Sequence, residues 1–335
     1  MIEIRTDYIS GYFSLTPIFR AHKEPFCIFC PDNEEITPPA ILIFQHKNFG
    51  LIKTTDSPDH REKDWSIRVI RHVDPILTPK EDMKYSPEPF ASESAKGLHY
   101  AIIVGREHNK ALHDIDLQEL IEAFIAAQET IKKTLHAKGI PYATTLADVV
   151  PNKKTYISHP HLEVVGFPTI PPFIKREASL IRELYEETGT CPYCKVVAAE
   201  KNGPRQIIST DYFLSLVPWS PKYDVEAWIL PKKHQRSFLK LTQKELKDFA
   251  LIFKITLKAV YKISKRPYSF VFHLGPERRS NYQFHWHMEV FQANGHFSAL
   301  EKGLGIKILH ELPEKVSERL SQEARREFAN LMGVK

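Results

Sequence analysis

One signature occurs twice in this chain, in the same order, and it constrains the fold more than any other feature. The first copy is Cys27-Ile-Phe-Cys30, then His108, then His159-Pro-His161-Leu-Glu163-Val164; the second is Cys191-Pro-Tyr-Cys194, then His234, then His285-Trp-His287-Met-Glu289-Val290. The step from the lone histidine to the first histidine of the pair is 51 residues in both copies (108 to 159, 234 to 285). Independently drifting loops rarely produce such a match, so the chain reads as a duplicated module.

The repeat extends beyond these residues. Each lone histidine follows a short strand-like run, Tyr100-Ala-Ile-Ile-Val104 or Ala227-Trp-Ile-Leu230. Eight residues after it comes a capping-box signal, Asp116 with Glu119 and Thr242 with Glu245, in which a cap oxygen and an acid satisfy otherwise orphan amides. Apolar residues then return at three- and four-residue steps, which predicts helices from Leu117 to about Leu135 and from Gln243 to about Ile263.

A length of 335 residues suits two modules, expected at 1–178 and 179–335, with the hinge in the charged stretch Lys175 to Glu187. The first copy spends 81 residues between Cys27 and His108 and the second 43 between Cys191 and His234. Insertions therefore sit in the first half, and prolines such as Pro38-Pro39 and Pro171-Pro172 predict irregular rather than helical structure there.

A hydrophobic share of 42% with 26% charged residues is ordinary for a soluble globular protein, and no apolar run reaches a membrane span. Met1-Ile-Glu-Ile-Arg-Thr-Asp7 carries an early acid and no apolar segment, so no secretory signal is read and a cytoplasmic protein is expected. The net charge of +5 is spread out, which fits phosphorylated small molecules as well as a polyanion and does not favour nucleic acid.

All four cysteines fall in Cys-x-x-Cys pairs, which in a reducing compartment points to metal rather than disulfide. Zinc takes four thiolate or imidazole ligands in a tetrahedron. Cys27, Cys30, His108 and His159 supply one set; Cys191, Cys194, His234 and His285 supply another, so two zincs per chain are expected. On a strand, residues i and i+2 share a face, so His161 projects beside His159 without being needed as a ligand. A neutral imidazole with its second nitrogen donating to a carbonyl is a nucleophile toward phosphorus.

At this point the chain resembles the galactose-1-phosphate uridylyltransferase family, a duplicated branch of the histidine-triad superfamily that includes ADP-glucose phosphorylase-like members. The resemblance is carried by Cys27-Ile-Phe-Cys-Pro-Asp-Asn-Glu34 with Thr37-Pro-Pro39, by Ser158-His-Pro-His161, and by Arg68-Val-Ile70, Gly97-Leu-His-Tyr-Ala-Ile-Ile-Val104, Trp228-Ile-Leu-Pro-Lys232 and Glu301-Lys-Gly-Leu-Gly305 in family order. It implies an α+β fold of two tandem histidine-triad-like modules, each an antiparallel sheet with a long helix. It also implies a nucleotidyltransferase in which His161 takes a nucleoside monophosphate from a nucleoside-diphosphate sugar and passes it to phosphate or a sugar 1-phosphate. Arg20 and Lys23 match a basic pair near the substrate phosphates, and Glu301 matches a position that contacts sugar hydroxyls. A homodimer is implied in the same way.

The chain departs from the family pattern in instructive places. Glu163 stands where relatives carry glutamine: it is protonated, or it turns to a cation or another donor, or the chemistry differs. The loop Asn152-Lys-Lys-Thr-Tyr-Ile-Ser158 is shorter than the family's glycine-rich one, and Asn152 and Ser158 are the candidate phosphate contacts in it. His72 replaces an asparagine near the nucleotide. In the second half Trp286 replaces the proline of His-Pro-His, so that half is expected to support rather than catalyse. Some relatives hold a second metal with an acid and three histidines, which here would be Glu177, His273, His285 and His287; both sets need His285, and the cysteine-containing one is favoured. The alternatives to uridylyl transfer are phosphorolysis or adenylyl transfer on ADP-glucose or a dinucleoside polyphosphate, and a catalytically silent, zinc-stabilised nucleotide-binding protein.

Overall fold

The runs that lead to the two lone histidines become central strands, and the amphipathic segments after them become the two longest helices. The structure, a computed structural model, describes residues 2–16, 26–47, 50–79, 90–150, 159–276, 283–293 and 298–333. In chain order the strands and helices are β1 (Glu3–Thr6), β2 (Phe13–Thr16), β3 (Leu42–Lys47), β4 (Gly50–Thr54), β5 (Ile67–Arg71), β6 (Ala91–Ser94), β7 (Leu98–Val104), α1 (Leu117–His136), β8 (Tyr142–Val149) and β9 (His161–Phe167). There follow α2 (Pro172–Thr188), α3 (Pro192–Glu200), β10 (Gln206–Ser209), β11 (Phe213–Leu216), β12 (Glu226–Pro231), α4 (Gln243–Ser264), β13 (Tyr268–His273), β14 (His287–Gln292), α5 (Ala299–Leu304) and α6 (Pro313–Leu331).

Among the described residues eleven strands form one antiparallel sheet in the order β10-β11-β12-β14-β13-β8-β9-β7-β5-β3-β4. The fold is α+β, as expected, and the sheets of the two halves are joined edge to edge: β8 pairs with β13, with Leu146 opposite Val271 and Val149 opposite Tyr268. This junction buries two strand edges that would otherwise offer unpaired amides.

The period-two alternation of the strands decides what each face carries. On β9, Leu162 and Val164 enter the main core while His161 and Glu163 lie on the opposite face; on β14, Met288 and Val290 enter it while His287 and Glu289 do not. The core face is covered by α1 and α4, which also pack on each other. Phe124 of α1 is fully buried there, with ring centroids 4.9 Å from both Phe249 and Phe253 of α4. At Gly166 of β9 a Cβ would meet the Thr134 methyl of α1 at 2.2 Å, so only glycine lets helix and strand approach this closely.

The helix starts differ in detail from expectation. Thr242 and Glu245 form the full capping box, whereas Asp116 makes no side-chain cap bond and its carboxylate takes the Lys110 ammonium instead, at 3.2 Å. The charged stretch expected to hold the hinge is helical: Pro172 occupies the first turn of α2, where its missing N–H costs nothing, and Gly189 ends the helix in the left-handed conformation. Among the described residues the insertion between Cys27 and His108 holds no α-helix, but it is more ordered than its proline content suggests, contributing the β3–β4 hairpin and strand β6 of a separate sheet of order β2-β1-β6, whereas Pro171-Pro172 opens a helix instead of an irregular loop. Among the described residues no helix is long and apolar enough to cross a membrane.

Candidate active site and metal centres

Cys27 and Cys30 lie on one tight turn before β3. The Cys30 amide donates to the Cys27 carbonyl (3.3 Å), which also accepts from Asn33 Nδ2 (2.9 Å). His108 follows β7, and His159 precedes β9. The ligand atoms of Cys27, Cys30, His108 and His159 lie within 4.8 Å of one another, and so do those of Cys191, Cys194, His234 and His285.

Both groups fit a tetrahedral metal ion. Zinc–sulfur bonds of ~2.3 Å and zinc–nitrogen bonds of ~2.05 Å at the tetrahedral angle separate sulfur and nitrogen by about 3.6 Å. His234 Nδ1 and His285 Nδ1 are each 3.6 Å from Cys194 Sγ, His285 Nδ1 is 3.8 Å from Cys191 Sγ, and His159 Nδ1 is 3.8 Å from Cys30 Sγ; His108 Nδ1 is closer, 3.1 Å from Cys30 Sγ. His159 Nε2 donates to the Gly105 carbonyl (2.8 Å) and His285 Nε2 to the Pro231 carbonyl (3.0 Å), a step of 54 residues in each half. These bonds fix the tautomer, leaving each Nδ1 lone pair aimed at the sulfurs. Burial pushes His159 down to about 4 and His285 to about 3, so both imidazoles stay neutral. Burial, with the neighbouring cysteine, pushes Cys30 up to about 12 and Cys194 to about 11, so thiolates here need a cation as countercharge.

His161 is 15% exposed and leaves β9 beside the first group. Its Nδ1 donates to the His159 carbonyl (2.8 Å), which places the lone pair of the neutral ring on Nε2. That nitrogen is 3.7 Å from Glu163 Oε1, too far for a hydrogen bond.

Glu163 turns to another donor, and that donor is a residue the sequence reading left without a role. His99, on β7, accepts the Ile76 amide at Nδ1 (3.2 Å) and therefore donates from Nε2 to Glu163 Oε2 (2.8 Å). His72 stacks on His99, with centroids 4.1 Å apart and planes 6° from parallel. Burial opposes ionisation of Glu163, yet the imidazoles of His161 and His99 outweigh it and hold the carboxyl well below its usual range. Burial alone would lower the pKa of His161; Glu163 reverses that and raises it. Burial, with His99 second, pushes His72 down to about 4. The sequence does hold a signal for His99: it shares the strand face of Ala101 and Ile103, where a polar residue needs a partner.

In the second half, Glu177, His273 and His287 gather within 4.8 Å as a separate group, while His285 faces the cysteines. His273 Nδ1 lies 2.7 Å from Glu177 Oε2, the Tyr193 hydroxyl donates to Glu177 Oε1 (2.7 Å), and Lys222 donates to Glu289 (2.8 Å). His287 is fully buried under Tyr193, whose ring centroid is 4.6 Å away, so the counterpart of His161 is closed to substrate.

Glu301 is not gathered at this site. Glu301 caps its own helix by accepting the Ser298 amide (2.8 Å) and lines a cavity of about 220 Å³ with Lys222, Asp224 and His310, in which His72, His161 and Glu163 take no part. Arg20, Lys23, Asn152 and Ser158 lie outside the described residues.

No family model matches the chain. Among curated proteins, ADP-glucose phosphorylase of Arabidopsis thaliana is 26% identical over 302 residues, 88% of this chain and 81% of that protein. Galactose-1-phosphate uridylyltransferase of Thermotoga maritima is 27% identical over 205 residues, 60% of this chain and 64% of that protein. Among solved structures, a uridylyltransferase superposes with a TM-score of 0.80 at 23% identity, covering 97% of this chain and 99% of the other. ADP-glucose phosphorylase of Arabidopsis thaliana with bound ADP-glucose superposes with a TM-score of 0.73 at 22% identity, covering 96% and 99%. The resemblance read from the motifs therefore holds at the level of sequence and fold: this chain is similar in sequence to galactose-1-phosphate uridylyltransferase and to ADP-glucose phosphorylase and shares their fold.

Proposed function

We propose that this protein is a nucleotidyltransferase that moves a nucleoside monophosphate from a nucleoside-diphosphate sugar to phosphate or a sugar 1-phosphate through His161. The observation that carries the reading is the fixed His161 ring: Nδ1 is tied to the His159 carbonyl, and Nε2 is left as the nucleophile on the open face of β9. Nε2 attacks the α-phosphorus, an N–P bond forms as the bond to the bridging oxygen breaks, and the sugar 1-phosphate leaves with that electron pair. An oxygen of the acceptor phosphate then attacks the same phosphorus and returns the pair to Nε2. Because Nδ1 keeps its proton, the intermediate imidazole carries positive charge, and the Glu163 carboxylate beside it supplies the countercharge.

Both Cys₂His₂ groups are read as zinc sites, two per chain, and zinc there is structural, holding His159 and with it the carbonyl that orients His161. Residues 1–178 and 179–335 are read as the catalytic and the supporting module. Arg20, Lys23, His72, Asn152 and Ser158 are read as nucleotide and phosphate contacts, and Glu301, which lines a separate cavity, is given no sugar contact. Thiol ligands need a reducing compartment, which supports a cytoplasmic site of action.

ADP-glucose phosphorolysis is the second reading, favoured by the length of the match to ADP-glucose phosphorylase. Incubation with UDP-glucose or ADP-glucose, followed by transfer to phosphate or galactose 1-phosphate, tests both. Release of glucose 1-phosphate that disappears in His161→Ala is expected; release that survives it would overturn the proposal.

A further inference from the structure

We propose that His72, His161 and Glu163 form a third site, for a divalent transition-metal cation, and that a cation held there withholds His161 from substrate. The mutual exclusion rests on the reading of His161 as the nucleophile; the site itself does not.

The ligand atoms of these three residues lie within 4.8 Å of one another, apart from both Cys₂His₂ groups. Two imidazoles and one carboxylate are a donor set suited to divalent iron, cobalt, nickel or zinc, with positions left open for water or phosphate. Each side chain is already oriented from behind, as ligands of real metal sites are. His161 Nδ1 donates to the His159 carbonyl (2.8 Å), Glu163 Oε2 accepts from His99 (2.8 Å), and His72 Nδ1 is held between the Asp74 carbonyl (2.9 Å) and the Asp74 amide (3.1 Å).

With those bonds made, the Nε2 lone pair of a neutral His161 and the second oxygen of Glu163 face each other at 3.7 Å. Two acceptors in that relation want a cation between them, and two bonds of ~2.1 Å span about 3.4 Å at a tetrahedral angle and up to ~4.2 Å when opposed. The site is also accessible, with His161 15% and Glu163 19% exposed, so an ion has an entry path. The Glu177, His273 and His287 group differs here, since it is closed over and its carboxylate is already taken by Tyr193 and His273. Because Nε2 of His161 is at once the metal ligand and the atom that forms the N–P bond, cation and nucleotide cannot occupy it together.

Cobalt(II) is the probe. The full-length protein, with both cysteine groups loaded with zinc, is dialysed against increasing Co²⁺, and bound cobalt is read together with its visible spectrum. One additional equivalent is expected, without a thiolate-to-cobalt charge-transfer band, bound at least 10-fold more weakly in both His72→Asn and Glu163→Gln, and bound normally in His273→Gln. Retention of two zincs and of the melting temperature shows that each variant is folded. Prior covalent labelling with a nucleotide sugar should abolish cobalt uptake. The proposal is overturned if no further equivalent binds, if it binds equally to both active-face variants, or if it is lost in His273→Gln alone. Cobalt uptake that depends on His72 and Glu163, in a protein that forms no nucleotide adduct when free of cobalt, would uphold the site and reject the nucleotidyl reading.

Discussion

His99 Nε2 lies 2.8 Å from Glu163 Oε2, and the Ile76 amide on the other ring nitrogen makes His99 the donor in that bond. A neutral imidazole thus satisfies one carboxylate oxygen and turns the other toward His161 at 3.7 Å. His99→Phe removes the donor and leaves a partly buried carboxylate short of one charge-assisted bond, worth about 1.5–3 kcal/mol. Single-turnover labelling by UDP-glucose or ADP-glucose should fall roughly 10- to 100-fold. His99→Gln, which keeps a donor, should recover part of that rate; equal losses in the two variants would show that His99 does not act through Glu163.

The two cysteine groups have unequal consequences. Metal analysis should give about two zincs per chain, and about one in either Cys27→Ser or Cys191→Ser. Labelling of His161 should suffer far more in Cys27→Ser, because His159 and its carbonyl belong to the first group. Equal labelling in the two variants would contradict the structural role assigned to the first metal.

Phe124 couples the two halves through the α1–α4 contact, touching Phe249 and Phe253. Phe124→Ala should cost about 3–5 kcal/mol in denaturant unfolding. A loss under 1 kcal/mol would mean the two helices are not packed as described.

His113 should contribute to acid sensitivity. It is 1% exposed, its Nδ1 is 2.7 Å from the Tyr268 hydroxyl, and burial pushes its pKa from 6.5 to about 4. Asp114 opposes that shift, while Lys254, Lys258 and Lys262 add to it. A folded-state pKa below the unfolded one means stability that is complete above pH 6.5 and lost as pH falls toward 4, on the order of 3 kcal/mol. His113→Gln should flatten that part of the stability profile, and an unchanged slope would contradict the assignment.

Much of this was legible in the sequence, because the repeat is carried by residues whose spacing survives folding. The 51-residue step becomes a long helix followed by a strand in both halves, and Thr242 with Glu245 forms the expected cap. The helix over the charged stretch 175–187 was not legible because only part of its apolar set follows one face: Ala178 and Ile181 are buried, while Leu180 and Leu184 stay exposed. The competition for His285 could not be settled from spacing, since both ligand sets use it; the carbonyl of Pro231 decides which way its ring points. His99 was hidden for a different reason. Its function depends on a diagonal contact between β7 and β9, and neither strand alone announces the register that makes it.

The central claim is a nucleotide carried on His161. Intact-mass measurement of the protein after brief exposure to UDP-glucose or ADP-glucose, followed by peptide mapping under conditions that preserve N–P bonds, tests it most directly. The account predicts a gain of one nucleoside monophosphate per chain, located on His161, discharged by phosphate or a sugar 1-phosphate and absent from His161→Ala. No adduct with either nucleotide sugar, or an adduct on another residue, would contradict it.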